Sequence, residues 1–361
     1  MNIKQYTDEA VQLLGMLITK PSISRNETQT ADVLQAQMKA WGLVPQRFGN
    51  NIAVWDEIDE TKPTLLFNAH IDTVKPVSSW TRDPFKPSLE GDRLYGLGAN
   101  DCGGGLVSLL QTYRFFKKQG ESSKEQAVPY IPYNIVFLAS AEEEVSGQHG
   151  IVMALPELPP IDIAIVGEPT GMQPAIAEKG LMVIDGTAYG RSGHAARNEG
   201  VNAINEALDD LLWLRDYQFE RVSPLLGPVK MSVTVINSGT QHNVIPDRCD
   251  FIIDVRTNEC YTNEEVLGII KEHVRSDIKA RSTRLSSSHI PTDHPLVQRC
   301  ITLGMTPFGS PTLSDQALMP FPSLKLGPGQ SARSHSADEY ICVSEIAKAI
   351  ETYIQLIKGN E

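Results

Sequence analysis

Five short segments of this chain carry side chains able to hold a cation. Phe67-Asn68-Ala69-His70-Ile71-Asp72 closes an apolar run with His-x-Asp. Residues two apart on a strand point to the same side, so His70 can bind a metal while Asp72 fixes its tautomer. A hydrogen-bonded structural histidine is the competing reading. Leu94-Tyr95-Gly96-Leu97-Gly98-Ala99-Asn100-Asp101-Cys102-Gly103-Gly104-Gly105 is a glycine-dense loop leading into a helix. It can aim Asp101 into a site that only glycine lets the backbone approach, or Asp101 can cap the helix. A phosphate cradle is the third reading, but no Gly-Lys-Ser/Thr follows and no G-x-G-x-x-G register fits. Glu142-Glu143-Glu144 follows a buried-type strand directly. Three adjacent carboxylates repel one another unless a cation joins them, and ligand sites in open α/β sheets lie at strand C-terminal ends. An exposed acidic run is the alternative. A second apolar run ends in Gly167-Glu168-Pro169, and the glycine turn Gly327-Pro328-Gly329 precedes His335. Two histidines among carboxylates suit Zn²⁺, with Co²⁺ or Mn²⁺ able to substitute. One zinc needs three protein ligands, so five donor segments point to two ions sharing a carboxylate.

These segments must be held by regular elements. Ala10, Val11, Leu14, Leu17 and Ile18 recur at helical spacing, and 26–41 reads as a second amphipathic helix. Short apolar runs at 51–55, 64–69, 135–140 and 161–166 read as buried strands, and 105–118 as a helix between two of them. Strands alternating with helices imply an α/β sheet covered on both faces. The middle of the chain changes character. Residues 180–190, 230–238 and 249–256 alternate apolar and polar side chains, as strands with one wet face do, with helices at 200–217 and 263–276. Residues 281–288, rich in Ser and Arg, read as a return linker, after which 295–303 and 343–357 are helical again.

The chain has 361 residues, enough for two domains, and a net charge of -12. That charge repels phosphate backbones and anionic membranes, so neither nucleic acid nor membrane is an expected partner. Five cysteines lie far apart without a C-x-x-C, which suggests neither a disulfide framework nor a zinc knuckle and fits a reducing, cytoplasmic setting. No signal peptide and no membrane-spanning run are expected.

With these segments in this order, the chain resembles the co-catalytic zinc peptidase family, whose members include acetylornithine deacetylases, succinyl-diaminopimelate desuccinylases, aminoacylases and glutamate carboxypeptidases. The resemblance runs from the first helix to the last. It implies a discontinuous catalytic α/β domain (1–178 and 288–361) and an inserted smaller α+β lid and dimerisation domain (179–287). It implies that His70, Asp101 and Glu168 hold one zinc and that Asp101, Glu144 and His335 hold the other, with Asp101 bridging. Asp72 would orient His70, and Glu143 would be the general base. The family usually writes Asp-Glu-Glu where this chain has Glu142-Glu143-Glu144, and Val145 and Gly147 set the frame. A cis peptide at Asp101–Cys102 is also implied. Cys102 departs from the commoner Met or Ala, leaving thiolate ligation or small-residue packing open.

Within the insert, Gly190-Arg191-Ser192-Gly193-His194-Ala195 is similar to the family's lid motif. It implies that His194 stabilises the oxyanion in the partner subunit of a homodimer. Asn243-Val244-Ile245-Pro246 and Asp254-Val255-Arg256 are similar to lid motifs whose residues contact substrate. Arg256 would pair with a substrate carboxylate, with a surface salt bridge as the alternative. In length, in the Leu94-to-Asp101 segment and in the compact insert, the chain is most similar to the acetylornithine deacetylase branch. The resemblance then implies a metal-dependent amidohydrolase of arginine biosynthesis that cleaves an N-acyl-L-ornithine, acetyl first and succinyl second, to L-ornithine and a carboxylate. An acyl-diaminopimelate or a dipeptide is the alternative substrate. A non-catalytic metal-binding interaction protein and a nucleotide binder are the alternatives from other classes.

Overall fold

The computed structural model describes residues 2–122, 131–197 and 199–358. The chain forms two compact units, one of residues 1–176, 290–308 and 314–361, the other of 177–289 with 309–313.

The first unit is built on a sheet whose strands run, in spatial order, Gln46–Phe48, Asn51–Trp55, Asn134–Ser140, Thr64–His70, Ile163–Val166 and Ser323–Lys325. The last four are mutually parallel. Thr64–His70 is buried at all seven positions, as its unbroken apolar run requires of a strand covered on both faces. Successive side chains serve opposite faces. Leu66, with Ala53, Val136, Leu138 and Ala164, packs on Ile151, Ala154 and Leu158. Phe67 turns the other way, its ring centroid 6.3 Å from that of Tyr353 in the helix Val343–Ile357. That helix packs with Ile3–Ile18 and Gly104–Ser122 in one layer. The parallel strands all end in the direction of His70, so the loops after them converge.

The helix expected at 105–118 runs over Gly104–Ser122. Its start passes so close to the end of the Ile163–Val166 strand that a Cβ on Gly105 would lie 1.7 Å from the Gly167 carbonyl oxygen. Only glycine permits that approach. Ser323–Lys325 was not legible as a strand, because it is three residues long and ends in a lysine that is 2% exposed. The small sheet Ser88–Glu90, Arg93–Tyr95 and Tyr340–Cys342 was not legible for the same reason of length.

The second unit carries an antiparallel sheet in the order Lys230–Ser238, Arg248–Arg256, Met182–Tyr189, Asp277–Ala280. Alternate residues of Met182–Tyr189 and Arg248–Arg256 are buried, as the period-two pattern requires. Their inner side chains pack with the helices Ala203–Asp216 and Asn263–His273. A Cβ on Gly186 would lie 2.3 Å from the Phe251 ring, so glycine here makes room for the largest inner side chain of the neighbouring strand. The segment 309–313 joins this unit from a place in the sequence where nothing signalled it.

Leu66 has no exposure and lies in the middle of its face. Leu66→Ala is expected to destabilise the protein by about 2–5 kcal/mol in denaturant unfolding. A loss below about 1 kcal/mol would contradict the packing described.

Candidate metal centre

His70 ends its strand at 2% exposure. Its Nδ1 lies 2.9 Å from the backbone oxygen of Asp72. A carbonyl can only accept, so Nδ1 carries a proton and Nε2 is the nitrogen free to serve the site. Nε2 points into a nest of acids: Asp101 Oδ1 is 3.2 Å away and Glu168 Oε1 3.6 Å. Asp72 thus orients His70 through its main chain. Its carboxylate, 3.6 Å from Nδ1, accepts the amides of Glu143 at 3.0 Å and Glu144 at 3.2 Å, and the Ser24 hydroxyl at 2.7 Å. One residue therefore sets both the ring and the turn that follows the neighbouring strand.

That turn, Glu143–Val145, separates three consecutive carboxylates. Glu142, at φ 53°, folds back to His149, which donates its amide at 3.2 Å and approaches through Nδ1 at 3.3 Å. Glu143 and Glu144 face the other way. A donor atom of each lies within 4.8 Å of one on His70. Glu144 also reaches His335 Nε2, at 3.0 and 3.1 Å from its two oxygens.

Asp101 stands between the two histidines. Its Oδ1 faces His70 and its Oδ2 lies 3.6 Å from His335 Nε2. The peptide between Asp101 and Cys102 is cis. Asp101, Glu144 and His335 bring donor atoms within 4.8 Å of one another, as do His70, Cys102 and Glu168. The sulfur in that second group bears on the choice between thiolate ligation and packing that the sequence left open for Cys102. Burial pushes the Cys102 thiol far up, which keeps it protonated, and Sγ is engaged by the His70 amide at 3.2 Å.

The electrostatics ask for a cation. Burial, followed by Asp101, raises the Glu168 carboxyl to about 8. Burial also raises Glu143 well above the carboxylate range, and Glu168 and Asp315 add to it. His335 goes up to about 9, chiefly because Glu144 accepts its hydrogen bond. Glu168 Oε1 is buried without a hydrogen-bond partner. Acids gathered this closely must take up protons or share cations, and an orphaned buried carboxylate oxygen beside a histidine nitrogen fits a divalent ion of the zinc type. Asp315 is a buried acid that sequence reasoning missed. It accepts the Ser140 hydroxyl at 2.5 Å, and burial lifts it to about 6. A lone Asp in a polar stretch offers no local sign of such a place.

The other residues expected in the site lie in the second unit. His194 pairs on a two-residue strand with Val244, and its Nδ1 accepts from the Ala196 amide at 3.1 Å, so its outward Nε2 carries the proton. The Asn243 carbonyl accepts the Ala195 amide at 3.0 Å, which brings the His194 and Asn243 motifs together. Arg256 holds Asp254 of its own strand through Nε at 2.8 Å and Nη2 at 3.0 Å. The salt-bridge reading of Arg256 is therefore realised in this structure.

The family model described as peptidase family M20/M25/M40 matches residues 66–359. The acetylornithine deacetylase of Proteus mirabilis (strain HI4320) is 28% identical, over 99% of this chain and 98% of its own. That of Pectobacterium carotovorum subsp. carotovorum (strain PC1) is 30% identical, over 96% of each. Among solved structures, the aminopeptidase PepT of Bacillus cereus superposes with a TM-score of 0.76 at 19% identity, covering 98% of both chains. A dinuclear metal-binding peptidase of Bacillus subtilis, from the M20 family, gives 0.71 at 16% identity, again covering 98% of both. These two share the fold.

The engagement of the sulfur by the His70 main chain makes a direct prediction. Cys102→Ala is expected to bind as many divalent ions per chain as the parent, measured by elemental analysis after dialysis. Loss of one ion would make the sulfur a ligand.

Proposed function

This chain belongs to peptidase family M20/M25/M40, and from that premise we propose that it hydrolyses the amide of an N-acyl-L-ornithine, giving L-ornithine and a carboxylate. N-acetyl is the first choice of acyl group and N-succinyl the second. The observation that carries the chemistry is the seating of Asp101, with one carboxylate oxygen toward each histidine. The substrate is taken from the nearly full-length likeness to acetylornithine deacetylases.

In this reading His70, Asp101 and Glu168 hold one Zn²⁺, and Asp101, Glu144 and His335 the other, with Co²⁺ or Mn²⁺ able to substitute. When bound, such ions supply Lewis-acid activation of water and of the scissile carbonyl. Asp101 serves both positions, and Asp72 keeps the His70 lone pair aimed at them. Glu143 is the one acid of the nest given no ligand role. Its amide is fixed by Asp72, and its carboxylate would take a proton from the attacking water and return it to the departing amine. The nitrogen leaves with that proton, and the new acid keeps the water oxygen.

The part 179–287 is proposed to act as lid and dimerisation domain on the catalytic part formed by 1–178 and 288–361. Ile204, Leu208 and Leu212 make an exposed stripe at four-residue spacing on the helix Ala203–Asp216. The edge strand Lys230–Ser238 exposes Val233, Val235 and Ile236. An exposed apolar stripe and an unpaired edge are surfaces that soluble proteins cover, which supports a homodimer. His194 would then reach the partner subunit's site to share the oxyanion charge, and Arg256 and Asn243 would contact substrate, Arg256 by giving up Asp254 for the substrate carboxylate. No described helix is long and apolar enough to cross a membrane. All five cysteines are free, which supports a cytoplasmic place in arginine biosynthesis.

Three outcomes test this. Glu143→Gln should lose about 10²- to 10⁴-fold in kcat while keeping its metals; loss of metal with turnover would place Glu143 among the ligands. In competition at equal concentration, N-acetyl- or N-succinyl-L-ornithine should give a higher kcat/KM than N-succinyl-L,L-diaminopimelate or a dipeptide. The reverse order would replace the substrate and leave the hydrolytic chemistry in place. Mixing inactive His194→Ala with inactive Glu143→Gln subunits should restore part of the activity, and a fully active monomer in dilute solution would contradict the role in trans.

A further inference from the structure

Glu339 has no part in the assignments above, yet it is a carboxylate at 2% exposure, four residues after His335. Its Oε1 accepts the amides of Asn100 at 2.7 Å and Asp101 at 2.9 Å, and its Oε2 lies 3.3 Å from the amide of Gly98. Its own carbonyl oxygen accepts the Gly96 amide at 3.0 Å. Four amides of the loop that presents Asp101 thus end on one residue of the loop that presents His335. Asn100 laces the same two loops from the other side. Its Oδ1 accepts the Gln330 amide at 3.0 Å, and its Nδ2 donates to the Gln330 carbonyl at 3.1 Å and the Ser334 hydroxyl at 3.3 Å.

Three amide hydrogen bonds of one loop converge on this single buried carboxyl group. The amide of Asp101 is one of the three donors, so the hold acts on the residue whose two oxygens face the two histidines. We propose that Glu339 is a positioning residue, which locks the main chain of Asp101 in register with His335 and so sets how tightly both metal positions bind. This rests on the two-metal reading above. An ordinary loop anchor, by contrast, would contribute stability and nothing more.

The test compares Glu339→Gln, Glu339→Asp and Asn134→Ala with the parent. Gln keeps the size but offers an NH₂ group to an amide donor. Asn134 is a matched control away from these loops: its Oδ1 accepts the Asp59 amide at 2.9 Å, and its Nδ2 donates to the carbonyls of Asp59 and Lys62 at 3.0 Å each. Two readouts are taken on metal-free protein: hydrogen exchange of the peptide covering 96–103, and calorimetric titration with Zn²⁺. Glu339→Gln is expected to exchange at least about tenfold faster in that peptide and to bind zinc about 10- to 100-fold more weakly at both positions. Glu339→Asp should fall between it and the parent, and it carries the same comparison if the Gln variant does not fold. Asn134→Ala should melt earlier yet bind zinc as the parent does. Parental zinc affinity in the Glu339 variants, or an equal loss of affinity in Asn134→Ala at the same loss of melting temperature, would overturn the proposal. A parent that binds fewer than two ions would instead defeat the two-metal reading, while the exchange comparison still decides what Glu339 holds.

Discussion

Mutual repulsion among buried carboxylates is the constraint on which this molecule is organised. Two like charges 4 Å apart cost about 1 kcal/mol in bulk water and about 4 kcal/mol at the effective dielectric of a protein surface. Asp101, Glu143, Glu144 and Glu168 gather at the ends of parallel strands, and burial pushes two of them far up. A fold keeps such a group only where something positive shares it. The metal-free site would be neutralised by protons, and cations entering would compete with those protons for the same oxygens. The hydrolytic chemistry proposed here uses the same competition, since the acid left without a ligand role is the one free to carry a proton.

The rest of the first unit makes that crowding possible. Strands buried on both faces supply rigid ends, and the Gly105–Gly167 contact lets a helix start against one of them. The acids are not placed independently. Asp72 ties the His70 ring to the Glu143–Glu144 turn through main-chain and side-chain oxygens together. Glu339 and Asn100 tie the Asp101 loop to the His335 loop. Few of the acids facing the site could move without dragging another.

What was legible in the sequence follows from which interactions are local. The apolar run before His70, the helix after Gly105 and the period-two strands of the second unit announce themselves by periodicity, and the structure has them within a few residues. The candidate ligands were singled out after apolar runs (His70, Glu144, Glu168) and in glycine-rich loops (Asp101, His335). The wiring between them was not. The Asp72 carboxylate bonds amides more than 70 residues away, and Glu339 bonds amides about 240 residues away. No local pattern encodes such pairings. Asp72 was expected to orient His70, and the atom that receives the ring proton is its carbonyl oxygen, which no residue type encodes. Arg256 was expected to await a substrate carboxylate, but its own strand offers one two residues away. The strand Ser323–Lys325 was hidden because a short segment with a lysine looks polar until its neighbours are known.

The central claim is that the crowded acids are joined by two cations sharing Asp101. The most direct measurement is anomalous diffraction from a crystal of the zinc-loaded protein. Two peaks about 3.5–4 Å apart, one on either side of the Asp101 carboxylate, are expected. A single peak, or two peaks with Asp101 bound to one alone, would contradict it.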